Sequence, residues 1–147
     1  MDNLFAKTNR PLKWYVWVIG FILFVYSSFS VYDYVMSLFQ GEAYFLESGM
    51  TARQIAYFTS FPIWATIAWT LSVWGLFFAT ITLFLRIRIA FILFLTSLIG
   101  TLAYILYTFG LSEGREAMGV IWSAPIVIAI ITAAMVFYSK RLFRIKT

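Results

Sequence analysis

Four stretches of the chain are apolar for long enough to cross a bilayer, and short polar segments separate them. A crossing helix needs about 20 predominantly apolar residues. The first run covers 14–32 and continues past Asp33 to position 39. The second covers 61–85, the third 89–110 and the fourth 120–138. Within the second, Ala65, Ala68, Ser72, Gly75 and Ala79 recur at helical spacing, so small side chains line one face. In a membrane such a face lets a neighbouring backbone approach closely. The three residues Arg86-Ile87-Arg88 are the whole link between the second and third runs. A link that short joins antiparallel neighbours. It therefore predicts packing of Ala68, Ser72 and Gly75 against Ser97 and Gly100 of the third run, while Leu76 and Phe77 face lipid or a looser contact.

The polar segments at 40–60 and 111–119 are the two outer loops. Thr51 and Gln54 make a T-x-x-Q capping box, and Ile55, Phe58 and Phe61 follow at helical spacing. One straight helix over 51–85 would be about 52 Å long at 1.5 Å per residue. The hydrocarbon core is about 30 Å thick. The pattern therefore predicts a short interfacial helix over 51–60, a break at Pro62, and then the crossing. Ser28-Phe29-Ser30 has the small-x-small form of a leader cleavage site, but Tyr26 and Phe29 crowd it and the apolar run continues beyond it. An uncleaved first helix is expected. The fold class is thus all-α: one integral membrane domain over 1–147, a bundle of four transmembrane helices with a short interfacial helix before the second.

Composition agrees with the pattern. The chain is 63% hydrophobic and 12% charged, against about 25% charged in ordinary soluble domains. It has no cysteine and no histidine, which removes disulfides, thiolate metal sites and the commonest general base. The net charge of +5 is unevenly placed. Lys7, Arg10, Lys13, Arg86, Arg88, Lys140, Arg141, Arg144 and Lys146 lie at the chain ends or in the 86–88 link, whereas Arg53 and Arg115 alone lie in the other loops. The positive-inside rule then places both termini in the cytoplasm. A basic balance of this kind points to membrane topology and anionic headgroups, not to nucleic acid.

Candidate chemistry is sparse. Asp33 is the one ionisable residue within an apolar run. It lies 19 residues after Trp14, about 29 Å along a helix, so interfacial placement is favoured over a buried proton or cation site; an ion pair with Arg53 or Arg115 is the intermediate case. With Tyr34, Arg53, Tyr57 and Arg115, Asp33 makes up the candidate ligand or partner face at the outer pole. The second, third and fourth runs carry no charge, which disfavours an ion-coupled carrier. Trp69, Trp74, Thr101, Tyr104 and Tyr107 are apolar-run aromatics and hydroxyls, more often used for interhelical packing than for a substrate path. No nucleophile–base pair, metal cluster or phosphate loop is present, so no enzyme activity, cofactor or metal is expected.

One family resemblance rests on specific residues. Tyr44-Phe45, Gly49-Met50-Thr51, Gln54-Ile55-Ala56-Tyr57-Phe58-Thr59, Phe61-Pro62, Trp64 and Val73-Trp74-Gly75, with Leu111-Ser112, Gly114 and Met118-Gly119, resemble a small bacterial family of four-helix inner-membrane proteins often called sugar transporters. The resemblance runs from about Tyr32 to the last helix. It implies a bacterial inner-membrane location and the four-helix topology, but it supplies no site residues. Two functions are therefore carried forward. One is a non-catalytic membrane protein, working as a homo-oligomer or as an accessory subunit with a membrane-protein partner. The alternative is a small-solute, sugar-type transporter acting as an oligomer.

Overall fold

The computed structural model describes residues 3–144, with the side chain of Ile121 left aside. Four helices are long and apolar enough to cross a membrane, and the chain is an integral, multi-pass membrane protein built on an all-α bundle. Helix α1 spans Trp14–Phe39. Two short helices follow, α2 (Glu42–Glu47) and α3 (Ala52–Thr59), before α4 (Ile63–Phe84). Helix α5 (Ala90–Ile105) runs on as a π-helical turn over Leu106–Leu111. A short α6 (Gly114–Met118) and a 3₁₀ turn then lead to α7 (Ala124–Leu142). Four crossings return the chain to its starting side, so both termini and the 86–88 link share one end, the terminal pole. Helices α2, α3 and α6 gather at the other, the loop pole.

The sequence boundaries shift in four places. The second crossing begins at Ile63, because Pro62 is extended (φ −64°, ψ 150°) and serves as the N-cap. The third ends as α-helix at Ile105 and closes in the wider π turn. The fourth occupies Ala124–Leu142 and not 120–138. Pro125 belongs in a first helical turn, where its missing N–H costs nothing, and that sets the start. At the far end Lys140 and Arg141 oppose the negative pole of the helix dipole, and Leu142 is buried, so the helix runs into the basic tail. The loop 40–50 also contains a helix, α2, that the hydrophobic pattern did not announce.

Helices α4 and α5 form the central pair, with α1 packed on α4 and α7 on α5. The α4–α5 approach is close because the facing residues are small. A Cβ built on Gly100 would lie 2.6 Å from the Ala68 carbonyl oxygen and 2.7 Å from the Ser72 nitrogen; one on Gly75 would lie 3.0 Å from Ser97 Cβ. Hydroxyls lace the same seam. Ser97 Oγ donates to the Ser72 carbonyl (2.8 Å), Thr101 Oγ1 donates to the Ser97 carbonyl (2.8 Å), and Ser72 Oγ lies 2.6 Å from Thr101 Oγ1. The expectation that Leu76 faces lipid does not hold: it is 2% exposed. Leu76 lies one turn beyond Ser72, at the edge of the small-residue seam, so it turns with Leu83 into the core. Phe77 is half-buried and stacks on Phe24 of α1.

The largest apolar core lies toward the terminal pole. Val16 and Leu23 of α1, Leu76 and Leu83 of α4, Phe94 of α5 and Met135 of α7 meet there. The N-terminal segment closes this end: Lys7 pairs with Ile87 as an antiparallel bridge, the Thr8 N–H donates to the Arg86 carbonyl and the Arg88 N–H to the Ala6 carbonyl, each at 3.0 Å.

Candidate functional site

Toward the loop pole α1 and α7 part, and a cleft of about 410 Å³ opens between them over the α4–α5 pair. Ligand cavities typically measure about 300–1,000 Å³. Helical spacing builds its walls. On α1, Tyr26, Ser30 and Asp33 recur at four and three residues and present one face, with Ser27 beside them. On α4, Trp69, Ser72 and Leu76 do the same. Thr101 and Tyr104 of α5 form the back, Pro125 and Ile128 the α7 side, and Met118 leans in at the rim. Leu76 also belongs to the apolar core, so the cleft is closed toward the terminal pole by packed side chains.

Three hydroxyls of the cleft have their protons committed. Ser27 Oγ donates to the Phe24 carbonyl (3.1 Å), Ser30 Oγ to the Tyr26 carbonyl (3.0 Å) and Thr101 Oγ1 to the Ser97 carbonyl. What they still offer is lone pairs. Asp33, exposed at the mouth, adds a carboxylate, and carboxylates accept only. The Tyr44 phenol of α2 donates to Asp33 Oδ1 at 2.9 Å. Burial first, then that hydrogen bond, pushes the Tyr44 phenol above its ordinary pKa, so it stays a donor. The cleft therefore combines aromatic faces from Tyr26, Trp69 and Tyr104 with acceptors from Ser27, Ser30, Thr101 and Asp33, and the phenols of Tyr26 and Tyr104 can also donate.

The five residues read from the sequence as one outer face are placed in four environments. Asp33 lies at the cleft mouth with Tyr44 as partner, not with Arg53 or Arg115. Tyr34 turns inward. It is 9% exposed, it hydrogen-bonds Thr70 Oγ1 at 2.8 Å, and its ring packs edge-on against Trp69. The cause is periodicity: Val16, Gly20, Leu23, Ser27 and Tyr34 are the buried residues of α1, at spacings of three, four and seven, and form the stripe that faces α4.

Arg53 and Tyr57 lie on α3 and clamp it to α6. Arg53 Nη2 donates to Glu113 Oε2 (2.8 Å) and Glu116 Oε2 (2.7 Å), Gln54 Nε2 donates to the Ala117 carbonyl (2.8 Å), and Tyr57 OH lies 2.9 Å from Ser112 Oγ. The Glu113 hydrogen bond, followed by that of Glu116, pushes the Arg53 guanidinium further above its ordinary pKa. Arg115 projects elsewhere, with its guanidinium 4.8 Å from the Trp122 ring centre. Gly114 permits the clamp, since a Cβ there would collide with Tyr57 OH and Thr108 Cγ2. The capping box is present as expected: Thr51 Oγ1 accepts from the Gln54 N–H and the Thr51 N–H donates to Gln54 Oε1.

The sequence alone does not mark Ser27 and Ser30 as site residues, and it assigns Trp69, Thr101 and Tyr104 to packing. The 26–30–33 spacing was the one signal that could have joined two of them to Asp33. Among the described residues no three acidic, histidine or cysteine side chains gather as a metal site. Comparison of the chain with protein-family models, with curated proteins and with solved structures finds no match.

Proposed function

We propose that this membrane protein is non-catalytic and binds a small solute in the cleft between α1 and α7. The solute carries hydrogen-bond donors on one side and an apolar face on the other, as sugars and other polyols do. The observation that carries this reading is the lining itself: aromatic faces, serine and threonine hydroxyls that still offer lone pairs, and the Asp33 carboxylate converge in one cleft. Hydrogen bonds orient such a guest, and burial of its apolar face against Trp69 and Tyr104 supplies affinity. The split of basic residues supports an orientation with both termini cytoplasmic, so that the cleft opens to the outside of the bacterial inner membrane. The resemblance to the family called sugar transporters points the same way.

The test is a titration of the purified protein with hexoses and linear polyols, followed by tryptophan fluorescence, alongside uptake of labelled hexose into proteoliposomes. The expected result is saturable binding that Trp69→Leu weakens at least tenfold and Asp33→Asn weakens several-fold. If none of these solutes perturbs the fluorescence, and uptake equals that of empty liposomes, the solute reading fails.

A second reading is favoured by the separation of α1 from α7 in the loop half. A homo-oligomer or accessory subunit would complete the bundle there with a helix from another copy or a membrane-protein partner. Disulfide crosslinking between copies carrying Phe29→Cys would show it, because the natural chain has no cysteine to interfere.

A further inference from the structure

The terminal pole carries a second concavity, of about 390 Å³, that the solute reading does not use. Lys7 and Arg10 of the N-terminal segment, Arg88 of the link and Arg144 beyond α7 line it, with Thr8 and Asn9 between them. Three separate pieces of chain thus bring four cations around one space. The backbone is built to hold them there. The pairing of residues 6–8 with 86–88 fixes Lys7 beside the link, and Arg10 Nη1 reaches the Arg141 carbonyl at 3.4 Å. Arg86 and Arg144 have positive φ, 58° and 49°, and are the only non-glycine residues to do so among those described. Each directly follows a helix C-cap, Leu85 or Phe143, where a left-handed residue commonly ends the helix and turns the chain.

A concavity lined by cations attracts an anion. Leu142 and Phe143 form an apolar wall to the same space, at the level where the spanning helices end. Four cations beside an apolar wall at the depth of the headgroups match a phosphate that carries acyl chains.

We propose that this basic pocket binds the phosphate of an anionic phospholipid headgroup, with free phosphate as the other source of the same chemistry. The full-length protein in neutral detergent is mixed with dioleoylphosphatidylglycerol, with dioleoylphosphatidylcholine, or with inorganic phosphate, and bound ligand is counted by native mass spectrometry. The expected result is at least tenfold tighter binding of phosphatidylglycerol than of phosphatidylcholine. Lys7→Gln, Arg10→Gln and Arg144→Gln together should abolish that preference, while Arg115→Gln at the loop pole leaves it intact. Binding of inorganic phosphate that the same triple change removes would support the site and name free phosphate as a source. The proposal is overturned if the triple variant keeps the preference, or if phosphatidylglycerol binds no better than phosphatidylcholine and inorganic phosphate does not bind. Should the triple variant fail to fold, Lys7→Glu alone, at an exposed position, decides the matter: it should weaken phosphatidylglycerol or phosphate binding several-fold, and unchanged binding overturns the proposal.

Discussion

Two residues show how differently a polar and a small side chain act in this bundle. Asp33 is exposed and its partner is a phenol, so Asp33→Asn should change stability by less than about 0.5 kcal/mol, as surface substitutions usually do. Thermal unfolding in detergent checks this, and a large loss would place the carboxylate in a tighter network than the Tyr44 hydrogen bond. Gly75 lies at the opposite extreme. Its missing side chain is what lets Ser97 approach, and Gly75→Leu should cost about 1–3 kcal/mol by overpacking. Phe78→Leu, on the exposed side of the same helix, should cost much less. A Gly75→Leu protein as stable as the natural one would mean that α4 and α5 can separate without loss. The small-residue seam was legible in the sequence because its spacing alone marks a face. Leu76, at the edge of that seam, was not, because its cover comes from residues of the other helices, and the pattern of α4 does not record where they stand.

Among the elements, the loop-pole clamp of α3 on α6 has the most specific fit. Its ion pairs are exposed and screened by water, so they hold it weakly. The close approach of Gly114 to Tyr57 is the stronger constraint. Gly114→Val should therefore detach α3 from α6 and speed amide hydrogen exchange in both, whereas Arg53→Gln should leave exchange nearly as it was. The reverse ranking would make the ion pairs the anchor. The start of α3 could be read from its capping box, since Thr51 and Gln54 are a local signal. Helix α2 could not, because its one buried residue, Phe45, packs beside Phe58 of α3, a contact the sequence does not announce. The late start of α7 follows from Pro125, which was visible in the chain, but whether it sits in the first or second turn was decided by the 3₁₀ turn before it.

At the scale of the whole molecule, length and hydropathy were enough to give four crossings, because crossing a bilayer is a requirement on segments. The cleft is a property of how α1 and α7 diverge, and no segment contains that information; Ser27, Ser30, Trp69 and Thr101 acquire a common role only when three helices meet. The central claim is that this cleft admits water and solute from the loop pole and is sealed toward the terminal pole. The chain has no cysteine, so single substitutions can be read one at a time. The most direct measurement is labelling of Ser30→Cys and Met135→Cys in right-side-out proteoliposomes with a membrane-impermeant thiol reagent. Ser30→Cys should react from the loop-pole side only and be protected by a bound polyol, and Met135→Cys, buried in the core, should stay unreactive from either side. An unreactive Ser30→Cys, or one labelled only from the terminal pole, would contradict the account.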